Sequence, residues 1–187
     1  MTQPQKFQFK LFIENPEALS LEAVVPVFHD FIREKALPKL LIDVADYEHV
    51  HEGPGVVLIG HGYDVYIDLM DGRPGLLLCR KREAVGSTAD IVRGTLALAL
   101  RAAALLEERL PIRFDTREAL FRAVDRRLTP NDDATHAELA PLVESIYGAL
   151  GQVRTVTRGD DARAPYTISL ALESAPSAKE AAAKIAA

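Results

Sequence analysis

The chain has 187 residues, 48% of them apolar and 26% charged, with five histidines, one cysteine and no tryptophan. That length and balance allow one well-buried core, while a formal net charge of −5 lacks the basic excess of a nucleic-acid binder. The lone Cys79 excludes an intramolecular disulfide, and the first residues hold no apolar stretch of the kind that drives secretion, so a cytosolic protein is expected.

Residues 6–13 alternate Phe7, Phe9, Leu11 and Ile13 against lysine and glutamine, the period of a half-buried strand. After the Asn15-Pro16 break, Ser20 is placed to cap a helix carrying Leu21, Val24, Val25, Phe28, Phe31 and Ile32, and Pro38 marks its end. Four strands are then expected over residues 40–46, 56–59, 64–70 and 76–82. The turns Gly53-Pro54-Gly55, Gly60-His61-Gly62 and Asp71-Gly72-Arg73-Pro74-Gly75 separate these four, and connections this short require antiparallel pairing.

Ser87 with Asp90 forms a variant capping box for a long helix reaching about Arg109. Its centre, residues 94–106, is the most hydrophobic segment of the chain, but it contains Arg101 and is shorter than the roughly 18 residues that suggest a membrane span. A helix apolar on nearly every side is covered on more than one face, by the sheet and other helices or by a second subunit, so a homodimer is one expectation. A short strand at 111–115 is expected next, then a helix capped by Asp115 and Glu118, a helix from Thr135 to Leu150, and a hairpin of residues 153–158 and 166–172. From Ser174 to Ala187 the sequence is rich in alanine, lysine and glutamate with little apolar surface, which predicts a flexible tail after a single domain spanning 1–173. The fold class is α+β: a mainly antiparallel sheet of six to eight strands with about four helices, the Ser87 helix central.

The segment Tyr47 to Gly62 concentrates three of the five histidines and four glycines in sixteen residues. With Pro54 at the apex of a regular hairpin, Tyr47, His49 and His51 stand opposite His61, Ile59 and Val57, and all six share one face. That register brings three histidines together beside Asp64. No His-Glu-x-x-His or paired cysteine supports a metal, so no metal or cofactor is assigned. Val57 and Ile59 on the same face point instead to histidines that end a core strand. A second candidate is Arg80 and Arg82 ahead of the Gly86-Ser87-Thr88 helix start, where arginines and free amides suit an anion. Cys79, within an apolar run, reads as a buried inert thiol.

The leading functional expectation is a binding module for a small molecule or a protein, with His49, His51, His61, Asp64, Arg80 and Arg82 as ligand-binding residues and neither nucleic acid nor membrane as partner. The alternatives are an enzyme with His51 or His61 as general base acting on a small anion held by the arginines, and a structural homodimer joined through the Ser87 helix.

Overall fold

The computed structural model describes residues 4–51, 53–70, 72–81 and 85–186. The opening alternation builds β1 (Phe7–Ile13), and the Ser20 hydroxyl, accepting the Ala23 amide, starts α1 (Leu21–Glu34). A meander follows: β2 (Leu41–Asp46), β3 (Val56–Gly60), β4 (Tyr63–Asp68) and β5 (Gly75–Arg80). The chain continues through α2 (Thr88–Glu107), β6 (Phe114–Ala123), α3 (Asp133–Gly148), β7 (Val153–Arg158), β8 (Tyr166–Leu172) and α4 (Ala178–Ala186). Every strand joins one eight-stranded sheet in the order β2-β3-β4-β5-β1-β6-β8-β7, and every neighbouring pair is antiparallel. The fold is therefore α+β.

Parity divides the sheet into two unlike faces. On one, Phe9 stands between Leu78 and Phe121, and Leu11 between Leu76 and Ala119; these residues join the helices in one buried cluster. Phe121 packs its ring on Phe7 and Phe9, with centroids 5.4 and 5.2 Å away. α1 lies along β2 and β3, α2 over β1 and β5, and α3 over β7 and β8, while α4 packs on α2 and β6. Among the described residues no helix packs on the opposite face. There Tyr66, Leu77, Lys10, Leu120 and Ser169 form a row across β4, β5, β1, β6 and β8.

Three expectations change. The segment Glu118-Ala119-Leu120-Phe121-Arg122-Ala123 has the composition of a helix, yet it is the second half of β6, a central strand held by β1 and β8. Asp115 does not cap a helix. Its carboxylate accepts the Arg117 amide and pairs with the Arg117 guanidinium, at 2.9 Å each, beside a bulge opposite Leu11 and Phe12. The gain from completing the middle of a sheet outweighs local propensity.

The second change is at the C-terminal tail, which contains α4. Ala178, Ala181 and Ile185 are buried against the rest of the core, and Ser177 with Glu180 forms reciprocal capping bonds at 3.0 and 3.4 Å. The third follows from it: the apolar faces of α2 are covered by the sheet, α3 and α4 of the same chain, and Ile91, Val92, Leu96, Ala99, Leu100, Ala103 and Leu106 are all buried. α2 needs no second subunit to cover it.

Candidate functional site

The three histidines do not share a face. β2 and β3 pair with Asp46 opposite Val56, Ala45 opposite Val57 and Asp43 opposite Ile59, so the described residues 47–51 and 53–55 form a loop rather than strand. The cause is local: Asp46 Oδ1 accepts the Glu48 amide at 2.8 Å, and the Tyr47, Val50 and Gly53 amides bond within the loop. Gly55, at φ +60°, closes that loop against the Ile67 carbonyl, where a Cβ would lie 2.1 Å from the oxygen. His49 and His51 are exposed on the loop before β3, and His61 is exposed on the turn after it. The five-residue length of β3, about 16 Å, separates the two ends.

Asp64 serves the turn. Its Oδ1 accepts the Gly60 amide at 3.1 Å and pairs with Lys81 Nζ at 2.7 Å, while Lys81 also donates to the Gly60 carbonyl at 2.9 Å. Arg80 points to the helix-covered face, where its Nε donates to Thr95 Oγ1 at 3.1 Å, and burial lowers its pKa. Arg82 lies outside the described residues. The start of α2 is already occupied by its own carboxylate, for Asp90 Oδ2 accepts both the Ser87 amide and the Ser87 hydroxyl, at 2.8 and 2.6 Å. The amides that suggested an anion site are therefore partly satisfied from within the chain.

Cys79 is half-buried; its sulfur accepts from Gln8 Nε2 at 3.2 Å, and burial pushes the thiol pKa up. Among the described residues no group of three or more His, Cys, Asp and Glu is placed to hold a metal ion. A fourth histidine, His136, has the clearest structural role: its Nδ1 meets the Tyr166 hydroxyl at 2.9 Å and ties α3 to β8.

The helix-free face holds a feature with no local signal in the sequence. Lys10 and Asp68, each 1% exposed, form an ion pair at 2.6 Å, and Lys10 Nζ also donates to the Met70 carbonyl at 2.5 Å. The lysine stem runs across Gly75, where a Cβ would lie 3.1 Å from Lys10 Cε and 2.6 Å from the Leu11 carbonyl oxygen. Beside it, the Arg73 guanidinium stacks 3.8 Å from the Phe12 ring centroid and pairs with Glu118 at 2.7 Å. These contacts pair Lys10 with Asp68 and Arg73 with Glu118, while the second Asp68 oxygen, Oδ1, is buried without a hydrogen-bond partner among the described residues. They leave a shallow cavity of about 260 Å3 between Phe12, Arg73, Glu118 and Arg154.

Four of the seven large apolar residues that are exposed among the described residues lie along one margin of the sheet, and the others, Met70, Val85 and Leu128, lie apart from it in sequence. Leu40 is 67% exposed and Ile42 54%, at the start of the edge strand β2; Tyr47 and Val50, just past its end, are 41% and 38% exposed. A groove of about 540 Å3 opens beside Leu40, walled by Ile32, Leu37 and Pro38 with Lys35 and Lys39 at its lip. The loop that shapes it is braced: the Tyr63 hydroxyl donates to the Pro38 carbonyl, Arg101 Nη2 to the Ala36 carbonyl at 3.0 Å, and the His61 amide to the Leu40 carbonyl at 2.8 Å. Burial pushes the Tyr63 pKa up to about 12, so its hydroxyl stays a donor across the physiological range. Ile42 is the extra residue of a bulge, since Leu41 pairs with Gly60 and Asp43 with Ile59.

The opposite margin, β7, presents Arg154, Thr155 and Thr157 as its exposed residues, with Arg158 partly exposed and paired to Asp133 at 2.8 Å. Charged side chains on an edge strand discourage pairing with another chain. No protein-family model matches this chain, and none of the curated proteins is similar to it.

Proposed function

We propose that the chain is a protein-binding module that recruits an extended segment along the outer edge of β2. The observation carrying this reading is the pairing of an edge strand with exposed apolar side chains: Leu40 and Ile42 flank a braced groove, while the other edge shows arginine and threonine. An edge strand offers unpaired amides and carbonyls for backbone bonds, and neighbouring pockets read the side chains of the added segment. The histidine loop enters as the flank of this edge, through Tyr47 and Val50, rather than as a cluster of ligands. A lone, inert Cys79 with no disulfide to maintain supports a reducing, cytosolic setting.

Selection of a displayed library of random peptides on the folded chain tests the reading. Enriched sequences should be extended and apolar, should slow amide exchange at residues 41–46, and should lose binding to Ile42→Lys. Peptides that protect another surface, or that bind Ile42→Lys equally well, would contradict it.

A further inference from the structure

We infer that the segment β2 takes is β2 of a second copy of this chain, in antiparallel pairing about a two-fold axis. This rests on the proposed use of β2 as a binding edge and names its occupant. Charge along the edge carries the inference. Lys35 and Lys39 precede β2, whereas Asp43, Asp46 and Glu48 lie in its second half and just beyond, and none of these five ion-pairs with another described residue. The edge is basic at its beginning and acidic at its end.

An antiparallel neighbour runs the other way, so the strand that complements this edge must also be basic at its beginning and acidic at its end. β2 itself has that profile. A two-fold axis makes every contact twice, because if one residue meets another, the reciprocal contact follows. A parallel neighbour of the same sequence would set lysine near lysine and aspartate near aspartate.

Apolar surface follows the same logic. The groove beside Leu40 lies at the beginning of β2, and exposed Tyr47 and Val50 lie past its end. Antiparallel pairing lays the Tyr47 to Val50 turn of one copy against the groove of the other, and it covers Leu40 and Ile42 in both. All four exposed apolar side chains between residues 40 and 50 are then accounted for by one symmetric contact. The two sheets become one sheet of sixteen strands, twice the eight of a single chain, whose outer margins are both the arginine-bearing β7. The β2 edges are removed and no new open edge is made.

The test is light scattering across a concentration series on wild type, Lys39→Glu, Glu48→Lys and the double variant. Both side chains are exposed and take no part in the core, and unchanged thermal midpoints verify folding. The wild type should be dimeric. Each single reversal should weaken the dimer by about tenfold or more, since one substitution creates two like-charge contacts, and the double variant should restore it. A wild type monomeric at every concentration, a dimer indifferent to both reversals, or a double variant no tighter than the singles would each overturn the inference. A monomeric wild type that still selects peptides along β2 would overturn self-pairing alone; one that selects none would overturn the β2 edge as a binding surface as well.

Discussion

The two flanks of the sheet are built from the same parts and finished differently. Each ends in a six-residue strand next to a helix, β2 beside α1 and β7 beside α3. On the β7 flank, polar side chains lock the layers together: Tyr147 donates to the Thr116 carbonyl at 2.7 Å, His136 meets Tyr166, and Asn131 Nδ2 donates to the Gly159 and Asp161 carbonyls at 2.9 Å. Its outer edge then shows threonine and arginine. On the β2 flank the bracing bonds hold the approach to the strand, and the edge itself shows Leu40 and Ile42 at its start and the acidic Asp43 and Asp46 further on. The two margins differ in charge as well as in apolar exposure, arginine on β7 against aspartate on β2.

Between the flanks lies the Lys10–Asp68 pair, the largest single electrostatic commitment of the helix-free face. Asp68→Ala removes the carboxylate partner of a buried ammonium, and it should cost about 3–5 kcal/mol in chemical denaturation. Tyr147→Phe tests the lock of the β7 flank. It strips the buried Thr116 carbonyl of its donor and should cost about 1–3 kcal/mol.

Acid should separate the flanks further. Asp132 caps α3 by accepting the Thr135 amide, and that bond holds its pKa below the ordinary carboxylate value. A lowered carboxyl pKa gives stability that is present above the unfolded value and is lost as pH falls through the folded one. α1 is capped by the Ser20 hydroxyl, which does not titrate in that range. Below the ordinary carboxylate range, amide exchange in the first turn of α3 should therefore speed up relative to that of α1 beyond the intrinsic change with pH. Equal behaviour of the two helices would break this contrast. The smallest effect belongs to the open edge: at concentrations where the chain is monomeric, Ile42→Lys should change folding stability by less than about 0.5 kcal/mol, because the side chain is already out of the core. A large loss would mean that Ile42 serves the fold rather than a partner.

Much of the fold could be read from local rules. The alternation of Phe7, Phe9, Leu11 and Ile13, the Ser20 and Ser87 caps, and the hairpin of β7 and β8 each follow from residues close in sequence. β6 did not, because its second half has helical composition and its place is set by β1 and β8, which flank it on both sides. The helical bias of the tail is legible in its alanine, lysine and glutamate and in the Ser177 and Glu180 capping box, but its burial is not; against α2, alanine permits close approach. The histidine cluster failed at a single turn. Asp46 begins an Asx-type reversal that ends β2 before His49, so the register that would have gathered the histidines is never formed. Lys10 and Asp68 are 58 residues apart, beyond any local pattern. The position of β2 at the margin has no local signal, because it is a property of strand order.

Amide hydrogen exchange on the wild type at low and high protein concentration tests the central claim most directly. Protection at residues 41–46 should rise with concentration, while exchange at 153–158 stays constant. Protection rising at β7 instead, or at neither edge, would contradict the assignment of β2 as the surface through which this chain meets its partner.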